Sequence, residues 1–327
     1  MAPFSALPKG RWGVYILAGM KTTASTRRDF LRNALPAGLA LAALDPAAPP
    51  LRAVEPLQRK GAPRWPLSLA AYSFREFFKP KDPARRITMF DFIDFCADQG
   101  LAGTELTSYY FPEPLDDAYL RQVKRHAFLR GVAVSGTAVG NNFTLPQGEK
   151  RDQQIAQLKQ WVDRAVTLGA PHIRVFAGSQ GNLTLAEAKK LAIEALQESA
   201  DYAGTKGVFL GLENHHGIVT EANDLLDIVR SVQSPWFGIN LDTGNFFTDD
   251  PYGDLARCAP YAVNVQVKVD VRRRGAKQSE PVDLTRLATI LREANYQGYV
   301  ALEYEAPQDP WQAVPVWLKK MKAAFAV

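Results

Sequence analysis

"LGLENHH" at residues 210–216 and "INLDTGN" at residues 239–245 begin as short apolar runs and end abruptly in carboxylates, amides and imidazoles. Apolar runs of this length read as strands buried on both faces of a parallel sheet. Two such strands finishing in metal-ligand residue types point to a (β/α)8 barrel, whose functional side chains project from the C-terminal ends of its strands. Six further runs have the same form: "LSLAAYSF" (67–74), "GTELTS" (103–108), "VAVSGTAV" (132–139), "HIRVFAG" (172–178), "AVNVQVKV" (262–269) and "YVALEYE" (299–305). The two opening stretches extend to 208–214 and 236–242 as the fifth and sixth strands.

Helix-like segments with apolar residues at three- and four-residue spacing lie between the strands. "RDQQIAQLKQWVDRAVTLG" and "TLAEAKKLAIEALQESADYAGTKG" are the clearest, and each closes on glycine, as helix C-termini often do. Eight strands each followed by a helix, over roughly 260 residues, have the count and length of a TIM barrel. A doubly wound open sheet would carry a Gly-rich turn after its first strand, and "AAYSFREFF" has none.

The 327 residues are 46% hydrophobic and 22% charged, enough for one large α/β core. The formal charge of +5 is local. Residues 1–53 carry seven Lys/Arg and two Asp, which leaves 32 basic and 32 acidic residues in the body. A neutral body gives no support for a nucleic-acid partner. Cys96 and Cys258 both fall in helical patterns, "FDFIDFCADQG" and "YGDLARCAP", without metal or redox spacing; two buried thiols are expected.

"TRRDFLR" (26–32) precedes "NALPAGLALAAL". Paired arginines, Phe-Leu, a basic residue and then a mild apolar run resemble a twin-arginine export signal. An ordinary amphipathic helix is the alternative, and the order of the parts favours the signal. Pro36 and Gly38 break the apolar run, so no stable membrane insertion is expected once the signal is removed. Residues 1–19 read as upstream sequence from an over-called start, 20–53 as the signal, 54–66 as a linker and 67–327 as the barrel. Cleavage after Ala48 or Ala53 would release a periplasmic or extracellular protein.

The strand ends form a pattern. Glu213 ends the fifth strand and Asp242 the sixth. Gln266 lies late in the seventh, with Lys268 two residues on and on the same face. Glu303 lies late in the eighth, followed by Glu305. Four adjacent strands each offering an oxygen at one level suit a hard divalent cation. A structural ion-pair network with Lys268 and Arg174 is the alternative.

"GLEN", "NLDTGN", "VQVK" and "ALEYE" resemble the sugar phosphate isomerase/epimerase family of xylose isomerase-like TIM barrels, over residues 67–325. The family pattern is Glu on strand five, Asp in a D-x-G-N turn on strand six, His in an H-x-K segment on strand seven, and Glu on strand eight. The resemblance implies metal ligation by Glu213, Asp242, Gln266 and Glu303, with Gln266 standing where the family has His. Mn2+ is the expected ion, with Mg2+, Co2+ and Zn2+ as alternatives. It also implies an isomerase or epimerase of a small carbohydrate. In such enzymes an enediolate is stabilised by the metal while one glutamate removes a carbon-bound proton and the other returns it, roles that fall here to Glu213 and Glu303.

Other side chains are candidates for substrate binding. His215 and His216 follow Glu213; Arg174 and Lys268 could hold an oxyanion or pair with carboxylates; Asn142 and Asn245 could bind hydroxyls or cap turns. Tyr72 and Glu105 end the first two strands and either line the pocket or pack within the barrel. His126 and His172 lie away from the strand ends and read as structural. "VRRRGAKQ" (271–278) reads as a solvated basic loop, with an anionic sugar as the alternative. Export favours an unphosphorylated sugar or glycoside. A homo-oligomer is compatible with this reading.

Three other functions compete with this reading. A lyase or dehydratase acting on an oxidised glycoside would use the same ligands. A multi-zinc DNA-repair endonuclease, found in the same superfamily, would need more than the four histidines here. A non-catalytic sugar-binding barrel would not need both Glu213 and Glu303.

Overall fold

The computed structural model describes residues 55–325. The leader read from residues 1–53 lies outside the described residues. Eight parallel strands close into a barrel: β1 (Leu67–Ala70), β2 (Gly103–Thr107), β3 (Ala133–Ala138), β4 (His172–Val175), β5 (Phe209–Glu213), β6 (Phe237–Asp242), β7 (Ala262–Val267) and β8 (Val300–Leu302). Neighbours in sequence are neighbours in the sheet, and β8 pairs with β1 to close the ring. Each strand is followed by a helix: α1 (Met89–Asp98), α2 (Asp117–Leu129), α3 (Glu149–Leu168), α4 (Leu185–Thr205), α5 (Ala222–Ser231), α6 (Pro251–Cys258), α7 (Leu284–Glu293) and α8 (Pro310–Ala324). The chain is a (β/α)8 TIM barrel, as the alternation of runs implies.

Local chemistry sets the helix ends. Thr88 and Asp91 form a reciprocal capping box at the start of α1, and Thr184 and Glu187 do so at α4. Each satisfies backbone N–H groups that a helix start leaves unpaired. α3 stops at Gly169, whose φ of 81° is the left-handed conformation glycine adopts most cheaply. No helix among the described residues is long and apolar enough to cross a membrane.

One expected strand is shorter than its apolar run. "LSLAAYSF" leaves the sheet at Ala70; Ala71–Phe74 form a 3-10 turn and Arg75–Phe78 a single helical turn. Burial decides this. Phe74, Phe77 and Phe78 have helical spacing and are buried. Phe74 packs edge-on to Phe92 at 5.8 Å and to Trp311 at 4.7 Å, so the turn seals the gap between α1 and α8. Each such aromatic contributes about 2–3 kcal/mol by leaving water, more than a strand continuing beyond its partners would gain. A two-stranded ladder, Asp270–Val271 against Glu280–Pro281, is a further departure, since "VRRRGAKQ" had read as plain loop.

The barrel interior is filled, not hollow. Ser68 and Ser135 share a hydrogen bond of 2.6 Å across it. The His172 ring lies against Gly136, where a Cβ would collide with the imidazole, so a side chain at that position would displace the ring. Its Nδ1–H donates to Ser135 O at 3.1 Å. Burial pushes His172 down to about 4, so the ring is neutral and structural, as its place at the start of a strand suggested. His126, on α2, bonds Asp94 of α1 at 2.8 Å and is also structural. Cys96 and Cys258 are buried free thiols.

Candidate active site at the strand ends

The register of the sheet brings the four expected oxygen donors together. Glu213 pairs with Asn240, Asp242 with Gln266, and Gln266 with Ala301, while the Glu303 N–H donates to Val267 O at 2.9 Å. Glu213, Asp242, Gln266 and Glu303 are all buried. The turn after β6 is shaped by Asp242 itself, whose Oδ1 accepts from Gly244 N at 2.9 Å. Asn214 ties β5 to β6, giving Nδ2 to Asp242 O and taking the Asp242 N–H on Oδ1. The polar ends of "LGLENHH" and "INLDTGN" are thus one fixed unit.

Two cations answer these carboxylates. Arg174 Nε lies 2.8 Å from Glu213 Oε2, close enough for an ion pair although the N–H is not aligned for a hydrogen bond. The same guanidinium donates to Val139 O at 2.7 Å and covers the Phe176 ring at 4.0 Å. Asn245 Nδ2 donates to the other Glu213 oxygen at 3.0 Å. Lys268 Nζ reaches Glu303 and Glu305 at 2.6 Å each and Asp242 Oδ2 at 3.2 Å.

Burial governs the protonation of the cluster. It pushes Asp242 up to about 7, against the Lys268 ammonium. It pushes Glu213 well above the ordinary range, against Arg174 and helped by Asp242 and Glu303. For Glu303 the same burial is outweighed by Lys268 and Arg174, which hold its carboxyl below the usual range. Lys268 is held well above its ordinary value: desolvation opposes its charge, but Asp242, Glu303 and Glu305 prevail.

The remaining candidates divide. His215 packs on Phe176 at 4.8 Å and on His216 at 4.2 Å, forming an aromatic rim beside Arg174. Burial pushes His215 down to about 4, so it is a neutral ring. Lys268 and Asn245 line a cavity of about 280 Å3 with Phe247, Arg272 and Glu305. Asn142 is not joined to the carboxylates by any bond. Its Oδ1 accepts from Thr144 Oγ1 at 2.7 Å, and its N–H meets Gln154, so it staples its own loop. In the basic loop, Arg273 pairs with Glu280 and Arg274 with Glu221, while Arg272 lies over Phe247.

Glu105, left between pocket and packing by the sequence, is fully buried and bonded by Gln266 Nε2 at 2.6 Å and Asn264 Nδ2 at 2.9 Å. Asn240 and Asn264 were not expected at all. The signal was present: in "AVNVQVKV" the polar Asn264, Gln266 and Lys268 alternate with valines, the period that sends every second residue into a barrel.

Among the described residues, no three His, Cys, Asp or Glu side chains stand as a preassembled metal cluster. Arg174 holds Glu213, and Lys268 holds Asp242 and Glu303. The donor set nonetheless fits a hard divalent cation. Asp242 Oδ2 is buried and meets the Lys268 ammonium at 3.2 Å without an aligned hydrogen bond. Glu105, Glu213, Asp242, Glu303 and Glu305 outnumber the two cations they meet, and carboxylate oxygens suit such an ion, while Gln266 turns its Nε2 toward Glu303 and its Oε1 toward Asn240.

Comparison with known proteins agrees with this architecture. A family model described as xylose isomerase-like TIM barrel matches residues 93–321. Among solved structures, D-psicose 3-epimerase from Clostridium cellulolyticum H10, determined with D-tagatose, superposes with a TM-score of 0.65 at 16% identity, covering 80% of this chain and 100% of that one. The apo form of 3-keto-D-glucoside 4-epimerase from E. coli gives 0.60 at 17% identity, covering 79% and 100%. A probable 3-DHS dehydratase of petrobactin synthesis from Bacillus anthracis gives 0.59 at 15% identity, covering 80% and 99%. At these identities the likeness is one of fold. Comparison with curated proteins finds no match.

Proposed function

The chain belongs to the xylose isomerase-like TIM barrel family, and on that premise we propose that it is a metal-dependent sugar isomerase or epimerase acting on a keto-sugar or a sugar derivative. The observation that carries this reading is the meeting of Glu213, Asp242, Gln266 and Glu303, all buried, at the ends of β5 to β8. The residues that would hold the ion are those four, and Mn2+ is the first choice. When bound, a divalent cation supplies a Lewis acid for neighbouring carbonyl and hydroxyl oxygens of the sugar.

The chain's own groups carry the proton. One of Glu213 and Glu303 takes the hydrogen from the carbon beside the carbonyl, and that C–H electron pair moves into the carbonyl to give an enediolate. The other glutamate, protonated, returns a proton to the opposite face, so the centre inverts and the two carboxyls exchange states. Arg174 and Asn245 orient Glu213, one on each oxygen. Lys268 orients Glu303 and adds positive charge where an oxyanion develops. The His215–Phe176 rim offers an apolar face and a neutral ring nitrogen to the sugar. On the reading of residues 20–53 as a twin-arginine signal, the protein is exported and the substrate is an unphosphorylated keto-sugar or keto-glycoside.

Incubating the Mn2+-loaded protein in D2O with a panel of ketohexoses and 3-keto-glucosides tests the reading. Deuterium incorporation at the inverted carbon without loss of a group supports it. Release of water or aglycone from the same substrates assigns the site to a lyase instead, and exchange with no substrate contradicts both.

A further inference from the structure

Beside the strand-end carboxylates lies the cavity of about 280 Å3 between the loops that follow β6, β7 and β8. Two side chains belong to both. Lys268 lines the cavity and holds Glu303 at 2.6 Å, and Asn245 lines it while giving Nδ2 to Glu213 Oε1 at 3.0 Å. Gly244 permits this closeness: a Cβ there would fall 2.6 Å from Lys268 Cγ, well inside contact distance. The volume is close to the about 300 Å3 at which small-molecule sites begin.

The chain fixes the walls. Arg274 N–H donates to Thr248 O at 3.0 Å and Arg273 Nη1 to Asp249 O at 3.2 Å, which ties the loop after β7 to the loop after β6. In the ladder of Asp270–Val271 with Glu280–Pro281, Val271 pairs with Glu280. The next pair outward is therefore Arg272 and Ser279, and both line the cavity. Glu280 takes Arg273 and Glu221 takes Arg274. Arg272 forms no ion pair among the described residues and lies 5.8 Å over the Phe247 ring. Phe246 is buried, whereas Phe247 keeps 54% of its surface exposed at the cavity.

This lining matches a neutral ring rich in hydroxyls. Its charged members cancel, Lys268 and Arg272 against Asp270 and Glu305, so the cavity has no net charge with which to select an anion. Arg272 and Asn245 offer donors, the two carboxylates accept, and Ser279 does either. Sugar hydroxyls also do both, and the C–H face of a sugar ring is apolar enough to lie on a phenyl ring. We propose that the cavity is a subsite for a second, non-reacting sugar ring, with Phe247 as its platform and Arg272 as its hydroxyl-binding cation. The substrate is then a neutral keto-glycoside of two rings, not a keto-monosaccharide. This rests on the sugar isomerase reading above and chooses between its two substrate forms. Contacts to a remote ring hold the reacting ring in place, so removing that ring lowers turnover as well as binding.

The test compares 3-keto-glucose with the 3-keto forms of cellobiose, maltose and trehalose, and with 3-keto-glucosyl-glucuronic acid as the anionic counterpart. Binding to the Mn2+-loaded protein is read by calorimetry and turnover by deuterium uptake. At least one neutral two-ring sugar is expected to bind about tenfold or more tighter than 3-keto-glucose, the order of effect of one group filling a pocket. That ratio is expected to fall toward one in Phe247→Ala and to shrink in Arg272→Met. Both side chains are exposed, so neither change opens the core, and thermal melts check this. Equal affinity for one ring and two, a ratio unchanged in Phe247→Ala, or a preference for the acid over neutral 3-keto-cellobiose overturns the subsite. Phe247-dependent binding without deuterium uptake overturns the isomerase reading and leaves the subsite standing. Deuterium uptake without a two-ring advantage does the reverse, and no binding by any of the sugars overturns both.

Discussion

Lys268 Nζ donates to Glu303 Oε2 at 2.6 Å, joining two buried charges just past the ends of β7 and β8. The ammonium also faces Asp242 Oδ2 at 3.2 Å, so a single side chain offsets the charge of two proposed metal ligands. Lys268→Met leaves both carboxylates uncompensated. Breaking a buried pair from one side costs about 3–5 kcal/mol. Urea unfolding of the metal-free protein is expected to show a loss of that order, with part of it recovered on adding Mn2+. A change below about 1 kcal/mol, the range of an exposed pair, would contradict the role.

The paired glutamates make separable predictions. Glu213→Gln and Glu303→Gln are each expected to lower kcat by about 10²–10⁴, the usual contribution of a positioned acid or base. The variant lacking the returning acid should still exchange the substrate's own C–H with D2O while failing to invert the centre. Full epimerisation by either variant would remove that residue from the proton path.

His172 gives a pH dependence remote from the strand ends. Its pKa falls from 6.5 to about 4 because it is buried. A base depressed on folding contributes stability that is complete above pH 6.5 and is lost as the pH falls toward 4. Between pH 7.5 and pH 5 the loss amounts to about 2 kcal/mol. His172→Asn, which can still donate to Ser135 O, is expected to show a correspondingly smaller loss over that interval in urea titrations. Equal pH dependence in both proteins would place the effect elsewhere.

Burial pushes the thiols of Cys96 and Cys258 up to about 12. A thiol reagent at pH 8 is expected to modify neither in the folded protein and both in urea. Rapid labelling of the folded form would contradict their burial between helices and barrel.

Much of this organisation was legible because barrel strands carry strong local signals. "GLE" and "NLD" change from apolar to anionic within one residue, and that boundary is the strand end in the structure. The glycines that close α3 and α4, Gly169 and Gly207, marked two helix ends. What stayed hidden was long-range. Whether Phe74 extends β1 or seals a helix gap depends on Trp311, more than two hundred residues away. Glu105 gives no local sign that it bonds Gln266, because their bond spans the barrel. The loop of Asn142 gave no sign that Thr144 takes its side-chain oxygen and Gln154 its backbone N–H. The export signal lies outside the described residues.

The central claim is that the strand-end oxygens form a divalent-metal site. Chelator-stripped protein titrated with Mn2+ in a calorimeter, beside the Glu213→Ala/Asp242→Ala double variant, tests it most directly. One-site binding in the parent and none in the variant is the predicted result. No heat in the parent, or equal binding in both proteins, would contradict the account.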